Sequence, residues 1–254
     1  MIYTMSGTEA LARRQLVKSP GTGIEHWGTE FFGPRSSTSV APGPQATMSE
    51  MNANETIVPH FHGTTQFQIF AAGYGKIGRG GDTLQPLTLQ FKDHHTAYGP
   101  VVAGPQGLTF MALRIKTGDS APVYLDKPGY RDKLKPSKKR NLISAPIGLS
   151  IEPVMQYRKE AVWEPLFEAH GINDEMAAHM VRLGANKAVC APDPAQSGGY
   201  YLFVANGNLN WAGNLLPRWS MVVVEPGETA VDIRAGDAGL EVLVMQFPRA
   251  DWET

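Results

Sequence analysis

The chain of 254 residues contains a single cysteine, Cys190. It cannot close an internal disulfide, so a disulfide-stapled secreted scaffold is excluded and a reducing compartment is expected. Within Lys187-Ala-Val-Cys190-Ala-Pro no histidine or acid stands beside it, which argues for a structural thiol rather than a nucleophile. An excess of one charge is also missing. Lys and Arg number 23 against 24 Asp and Glu, a formal net charge of −1, so no global field invites nucleic acid or an anionic membrane. No stretch approaches the roughly 18 apolar residues of a membrane helix. The start, Met1-Ile-Tyr-Thr-Met-Ser-Gly-Thr-Glu9, lacks the basic and apolar regions of a signal peptide. The expectation is a cytoplasmic protein with neither nucleic acid nor membrane as partner. Gly-x-Ser-x-Gly and the phosphate-binding Gly-x4-Gly-Lys-Ser/Thr are absent, which removes two common enzyme classes.

What is present is turn chemistry and repetition. Twenty-seven glycines and 19 prolines are spread along the chain, as many short strands joined by turns require. Three segment pairs match in the same order. Met48–Glu55 resembles Met180–Lys187 (offset 132), Ile69–Gly73 resembles Phe203–Gly207 (offset 134), and Ala103–Phe110 resembles Ala235–Val242 (offset 132). Nine of these 21 aligned positions are identical, and the agreement of the offsets marks an internal duplication. Each copy reads as β: Thr64–Ala72, Leu87–Phe91, Leu108–Ile115, Tyr200–Ala205, Ser220–Val224 and Glu241–Phe247 are short and rich in β-branched, aromatic and Leu residues. Helical pattern is confined to residues 7–18 and Glu164–Ala178. The division expected is a first copy over 1–120, a linker over 121–150 and a second copy over 151–254. The basic cluster Lys133, Lys135, Lys138, Lys139 and Arg140 in that connection reads as a solvated surface.

The strongest local feature is Val58-Pro59-His60-Phe61-His62-Gly63-Thr64-Thr65-Gln66-Phe67-Gln68-Ile69-Phe70-Ala71-Ala72-Gly73. In a strand, His60 and His62 emerge on one face roughly 7 Å apart, and two imidazoles so placed can chelate a divalent metal. The stretch resembles the first motif of the cupin superfamily: His60, His62 and Gly73 match it, and Gln66 stands where the family's metal-binding Glu falls. A neutral amide oxygen is a weaker ligand than a carboxylate. The family's last ligand is a His after a Pro-x-Gly turn. Glu225-Pro226-Gly227 supplies that turn in the second copy, with Ala230 at the ligand position. Carried back by 132, this falls on Tyr98, with His94 and His95 just before it. Tyr98 replaces the histidine, or His94 or His95 reaches the metal from a shifted turn; any of the three could instead donate a proton above the site. The resemblance therefore implies an all-β tandem of double-stranded β-helix (jelly-roll) barrels, with metal ligands His60, His62, Gln66 and His95 and with Tyr98 and His94 as catalytic candidates. In the second copy Pro192, Pro194 and Tyr200 replace the ligands, so that copy is expected to be metal-free and to serve structure or dimerisation.

Gly73-Tyr-Gly75-Lys-Ile-Gly78, with Asp93 downstream, fits a dinucleotide fingerprint in letters only, because no helix can start at its glycines. His26, His170 and His179 have no partner at ligand spacing and read as structural. The resemblance implies a metal-dependent enzyme acting on a small organic molecule, a dioxygenase first and an isomerase or lyase second. Fe(II) is the first metal, with Mn, Zn or Ni as alternatives. A homodimer is expected alongside the small-molecule substrate. The other function class is a non-catalytic two-barrel protein that binds a small ligand or has lost its metal. Phe61, Phe67, Phe70, Tyr98 and Phe110 are candidates to line its pocket or simply to fill its core.

Overall fold

The computed structural model describes residues 1–19, 22–35, 43–116, 118, 120–168 and 171–249; His170 lies outside the described residues. The chain divides into two compact units, Arg13–Ile147 and Met1–Ala12 with Gly148–Thr254. Both are antiparallel all-β barrels of jelly-roll type.

In the first unit the main sheet runs Asn141–Ile143, Thr88–Lys92, Gln66–Ile77, Val101–Arg114, Gln45–Met51, Glu25–Phe32 and Gln15–Lys18 in spatial order. A separate two-stranded ladder pairs His60–Phe61 with Val123–Tyr124, and His60 also bridges to Tyr98. In the second unit the order is Ile2–Met5, Met221–Val224, Tyr200–Trp211, Asp232–Gln246, Ala177–Leu183 and Val162–Pro165.

The matched segments build the same local devices in both units. Asn54 and Asn186 both take left-handed backbone, at φ 60° and 59°, and donate to Gly104 and Gly236 carbonyls at 3.1 and 3.0 Å. Gly73 and Gly207 sit at φ +74° and +72°, where an added Cβ would meet the carbonyl oxygens of Gly107 and Gly239. Neither glycine ends its strand. Each lies inside a long one, Gln66–Ile77 or Tyr200–Trp211, next to a register shift. That is why the strands outrun the segments bounded by glycine in the sequence. Gly73→Ala should therefore destabilise the first unit. The left-handed backbone alone costs about 1–2 kcal/mol, and the clash with the Gly107 carbonyl oxygen adds to it. A urea midpoint that falls at unchanged slope would register this; an unchanged midpoint would contradict it.

Three sequence expectations are corrected. Residues 121–147 are not a linker. Val123–Tyr124 and Asn141–Ile143 are strands of the first unit, and Arg140 is buried against Asp93 rather than solvated. The first residues belong to the second unit, where Ile2–Met5 covers the free edge of Met221–Val224, as Asn141–Ile143 covers the edge of Thr88–Lys92. Among the described residues, helix is confined to Gly7–Leu11 and Glu152–Gln156, plus short 3-10 turns, and Glu164–Ala178 holds none. No helix of the described residues is long and apolar enough to cross a membrane.

Candidate functional site

Strand alternation decides which side chains enter the first barrel. Register aligns Lys92 with Gln66 and Arg114 with Gln45. The next inward positions are Gln90 beside Gln68, then Ala112 beside Thr47. One end of the inner face is thus polar, while Phe70 faces Phe110 further along. All of Gln45, Gln66, Gln68, Gln90, Lys92 and Arg114 are buried. The sequence reading missed every one of these except Gln66. Their signal was polar residues at i and i+2 inside otherwise apolar strands, Gln66 with Gln68 and Gln90 with Lys92.

The opposite wall supplies His60, His62 and Tyr98, buried and in mutual contact: His60 lies 5.1 Å from His62 and 4.3 Å from Tyr98, ring centre to ring centre. His60 Nδ1 lies 2.8 Å from the Val58 carbonyl and His62 Nδ1 2.7 Å from the Ser120 carbonyl. Both nitrogens must carry the proton to donate there, which leaves Nε2 as the lone-pair atom of each ring. For His62 that lone pair is in use, because the Tyr98 hydroxyl lies 3.2 Å away and donates to it. The same hydroxyl accepts from Gln66 Nε2 at 3.3 Å and Gln68 Nε2 at 3.4 Å. One donated and two accepted bonds exhaust a phenol.

Two basic side chains close the network. Arg114 donates to Gln66 Oε1 at 2.6 Å and also to Gln45 Oε1. Lys92 donates to Gln68 Oε1 at 2.6 Å and Gln90 Oε1 at 3.1 Å, and its Nζ stands 2.9 Å from the centre of the Tyr98 ring. Burial dominates the titration of His60, His62, Lys92 and Tyr98. It lowers His60 to about 4 and pushes Tyr98 up to about 12. Burial, reinforced by the Arg114 charge, also drives His62 and Lys92 well below their ordinary values.

The side chains that the resemblance named as ligands do not fit a divalent cation in this arrangement. The carbonyl oxygen of Gln66 is held by a guanidinium, and the Nε2 of His62 by a phenol proton. No carboxylate takes part, and the described residues contain no cluster of three or more His, Cys, Asp or Glu able to hold a metal. His94 and His95 do not join the group. They contact each other, Nδ1 to Nδ1 at 2.8 Å, and His95 packs on Phe61 with ring centres 5.7 Å apart. Strand alternation puts Phe61 on the face opposite His60 and His62, so this pair belongs to the barrel's other side. Of the aromatic candidates, Phe70, Phe110 and Tyr98 line the cavity, whereas Phe67 packs on Phe91.

The cavity beside this network has a volume of about 110 Å³. Its walls include His60, His62, Tyr98 and Arg114 at one end, Phe70, Phe110 and Met51 between, and His26 and Arg35 among the remaining residues. In the second unit the same register carries Tyr200 beside Val224, where the first has Gln66 beside Lys92. Leu202, Val204, Val222 and Val242 fill that interior as one apolar cluster.

No protein-family model and no curated protein matches the sequence. Solved structures do match over nearly the whole chain. A candidate dioxygenase of Nostoc punctiforme aligns at TM-score 0.60 and 9% identity, covering 99% of this chain and 84% of that one. A variant of the salicylate 1,2-dioxygenase of Pseudoaminobacter salicylatoxidans aligns at TM-score 0.56 and 13% identity, covering 99% and 84%. The pirin YhhW of Escherichia coli, in complex with nickel(II), aligns at TM-score 0.53 and 14% identity, covering 98% and 99%. At these identities the likeness is one of fold.

Proposed function

We propose that the first barrel is a metal-free binding site for a small organic molecule, on the scaffold that other chains use for metal chemistry. The observation that carries this is the Tyr98 hydroxyl, ringed by His62 Nε2, Gln66 Nε2 and Gln68 Nε2, where the resemblance would put a cation. Arg114 reinforces it, because a buried guanidinium beside the site disfavours a dication by charge repulsion. A ligand entering the cavity would meet the imidazole lone pair that the network leaves open on His60, and the apolar faces of Phe70 and Phe110. The second barrel, with its interior filled, would support the first rather than bind.

A metal-dependent oxidoreductase, with iron as the metal and a dioxygenase reaction, is the second reading. It is favoured by the side-by-side His60 and His62 and by the nickel(II) bound in one structural neighbour. In that case Tyr98 would have to swing away and Gln66 release Arg114. Metal analysis of protein purified without a tag separates the two readings. The metal-free reading expects content well below one equivalent, unchanged in a His60→Ala/His62→Ala double variant. Stoichiometric iron or nickel that disappears in that variant would establish the second reading instead.

A further inference from the structure

The cavity has another polar group that the Tyr98 network does not use. Strand register places His26 beyond Trp27, which pairs with Glu50, and so well along the sheet from the rung of Gln45 and Arg114. His26 lines the cavity at 7% exposure, and neither of its ring nitrogens makes a well-formed hydrogen bond among the described residues, although the Ile24 carbonyl lies near the ring. A neutral imidazole has one N–H to donate and one lone pair to fill, and leaving both unmet inside a protein costs stability. Arg35 reaches the same cavity through space that Gly28 leaves open, since a Cβ on Gly28 would collide with Arg35 Nη2. Nη1 donates to Ser49 Oγ at 2.7 Å and Nη2 to the Met48 carbonyl, but the buried Nε has no partner among the described residues.

Glu55 is the one carboxylate among the described lining residues, and it already accepts from Asn52 N at 2.8 Å and Asn52 Nδ2 at 3.2 Å. His26 and Arg35 therefore bring unmet donors and a positive charge into a cavity whose own acid is engaged elsewhere. A planar group with two acceptor oxygens and one negative charge answers all three conditions. At this end of the cavity, away from Arg114, one guanidinium with a neutral imidazole in the field of Glu55 matches a monoanion better than a phosphate dianion. We infer that Arg35 and His26 anchor the carboxylate of a small aryl or alkyl carboxylic acid, whose apolar body lies against Phe70 and Phe110. This rests on the small-molecule reading of the cavity and names its ligand class.

The test titrates the full chain with benzoate, with benzyl alcohol as its uncharged counterpart and with inorganic phosphate, by calorimetry and by thermal midpoint. Benzoate is expected to saturate and the other two to bind at least tenfold more weakly. Arg35→Gln and His26→Leu should each weaken benzoate roughly tenfold or more. His26→Leu should also raise the midpoint of the ligand-free protein, because an unmet imidazole gives way to an apolar side chain; a histidine kept for structure would do the opposite. The inference is overturned by no benzoate signal at millimolar concentration, by equal affinity for benzyl alcohol or phosphate, or by a lowered ligand-free midpoint in His26→Leu. Benzoate binding to metal-free protein that survives both substitutions would overturn this anchor while the metal-free reading stands. Stoichiometric metal in the purified protein would instead bring down that reading.

Discussion

Asp93→Ala is expected to destabilise the first barrel by about 3–5 kcal/mol, the cost of stripping the partner from a buried charge. Asp93 and Arg140 have side chains 3% and 4% exposed and meet with Arg140 Nη2 2.8 Å from Asp93 Oδ1. Arg140 Nε and its backbone N–H both donate to Asp93 Oδ2, at 3.0 and 2.8 Å, and Asp93 N–H returns a bond to the Arg140 carbonyl at 3.2 Å. The pair thus locks the segment read as a linker onto the end of Thr88–Lys92. Alanine leaves the guanidinium buried beside Phe91 without the Asp93 carboxylate that accepts from it. An Asp93→Leu/Arg140→Met double variant should recover most of the loss, since apolar replacement of a whole buried pair is close to neutral. Denaturant midpoints decide: a single-variant loss below about 1 kcal/mol would be the behaviour of a surface pair and would contradict the account.

Acid should weaken the same barrel steeply, and the sign follows from His60. Unfolded, it takes a proton as pH falls through 6.5; folded, it does not until about 4. The unfolded chain therefore binds more protons between those values, so stability present above pH 6.5 is lost as pH drops toward 4. At 1.36 kcal/mol per unit, a fall from 6.5 to about 4 amounts to about 3 kcal/mol from His60 alone. His62 acts in the same direction. Lys92, also depressed, adds stability as pH rises toward its ordinary 10.5. Hydrogen exchange along Gln66–Ile77 would read this barrel separately from the other. Protection should fall from pH 6.5 to 4 after correction for intrinsic exchange, and a His60→Gln/His62→Gln variant should flatten the fall. A flat profile in the unsubstituted protein would refute the assignment of neutral, buried imidazoles.

The duplication was legible because its markers are backbone demands. Asn54 and Asn186, Gly73 and Gly207, and Gly107 and Gly239 all sit at positive φ, where few residues substitute, so the letters persist although the two interiors differ. His60 and His62 were legible by spacing, and Tyr98 by its offset from Ala230. What surrounds them was not. Gln68, Lys92 and Arg114 come from three strands, and only pairing register shows that they share an inner face with Gln66. A sequence window also cannot say which of two similar sheets will accept Ile2–Met5. His94 and His95 misled because adjacency in sequence to Tyr98 does not carry across a turn, where His95 takes φ 53°.

The central claim, that a hydroxyl and not a metal completes the His60–His62 site, is tested most directly by a crystal structure of tag-free protein with anomalous data collected above the iron, nickel and zinc edges. The account predicts no anomalous peak in the first barrel, with Tyr98 Oη within hydrogen-bond distance of His62 Nε2 and Gln66 Oε1 on Arg114. A peak within bonding distance of the Nε2 atoms of both His60 and His62, with Tyr98 displaced, would contradict it.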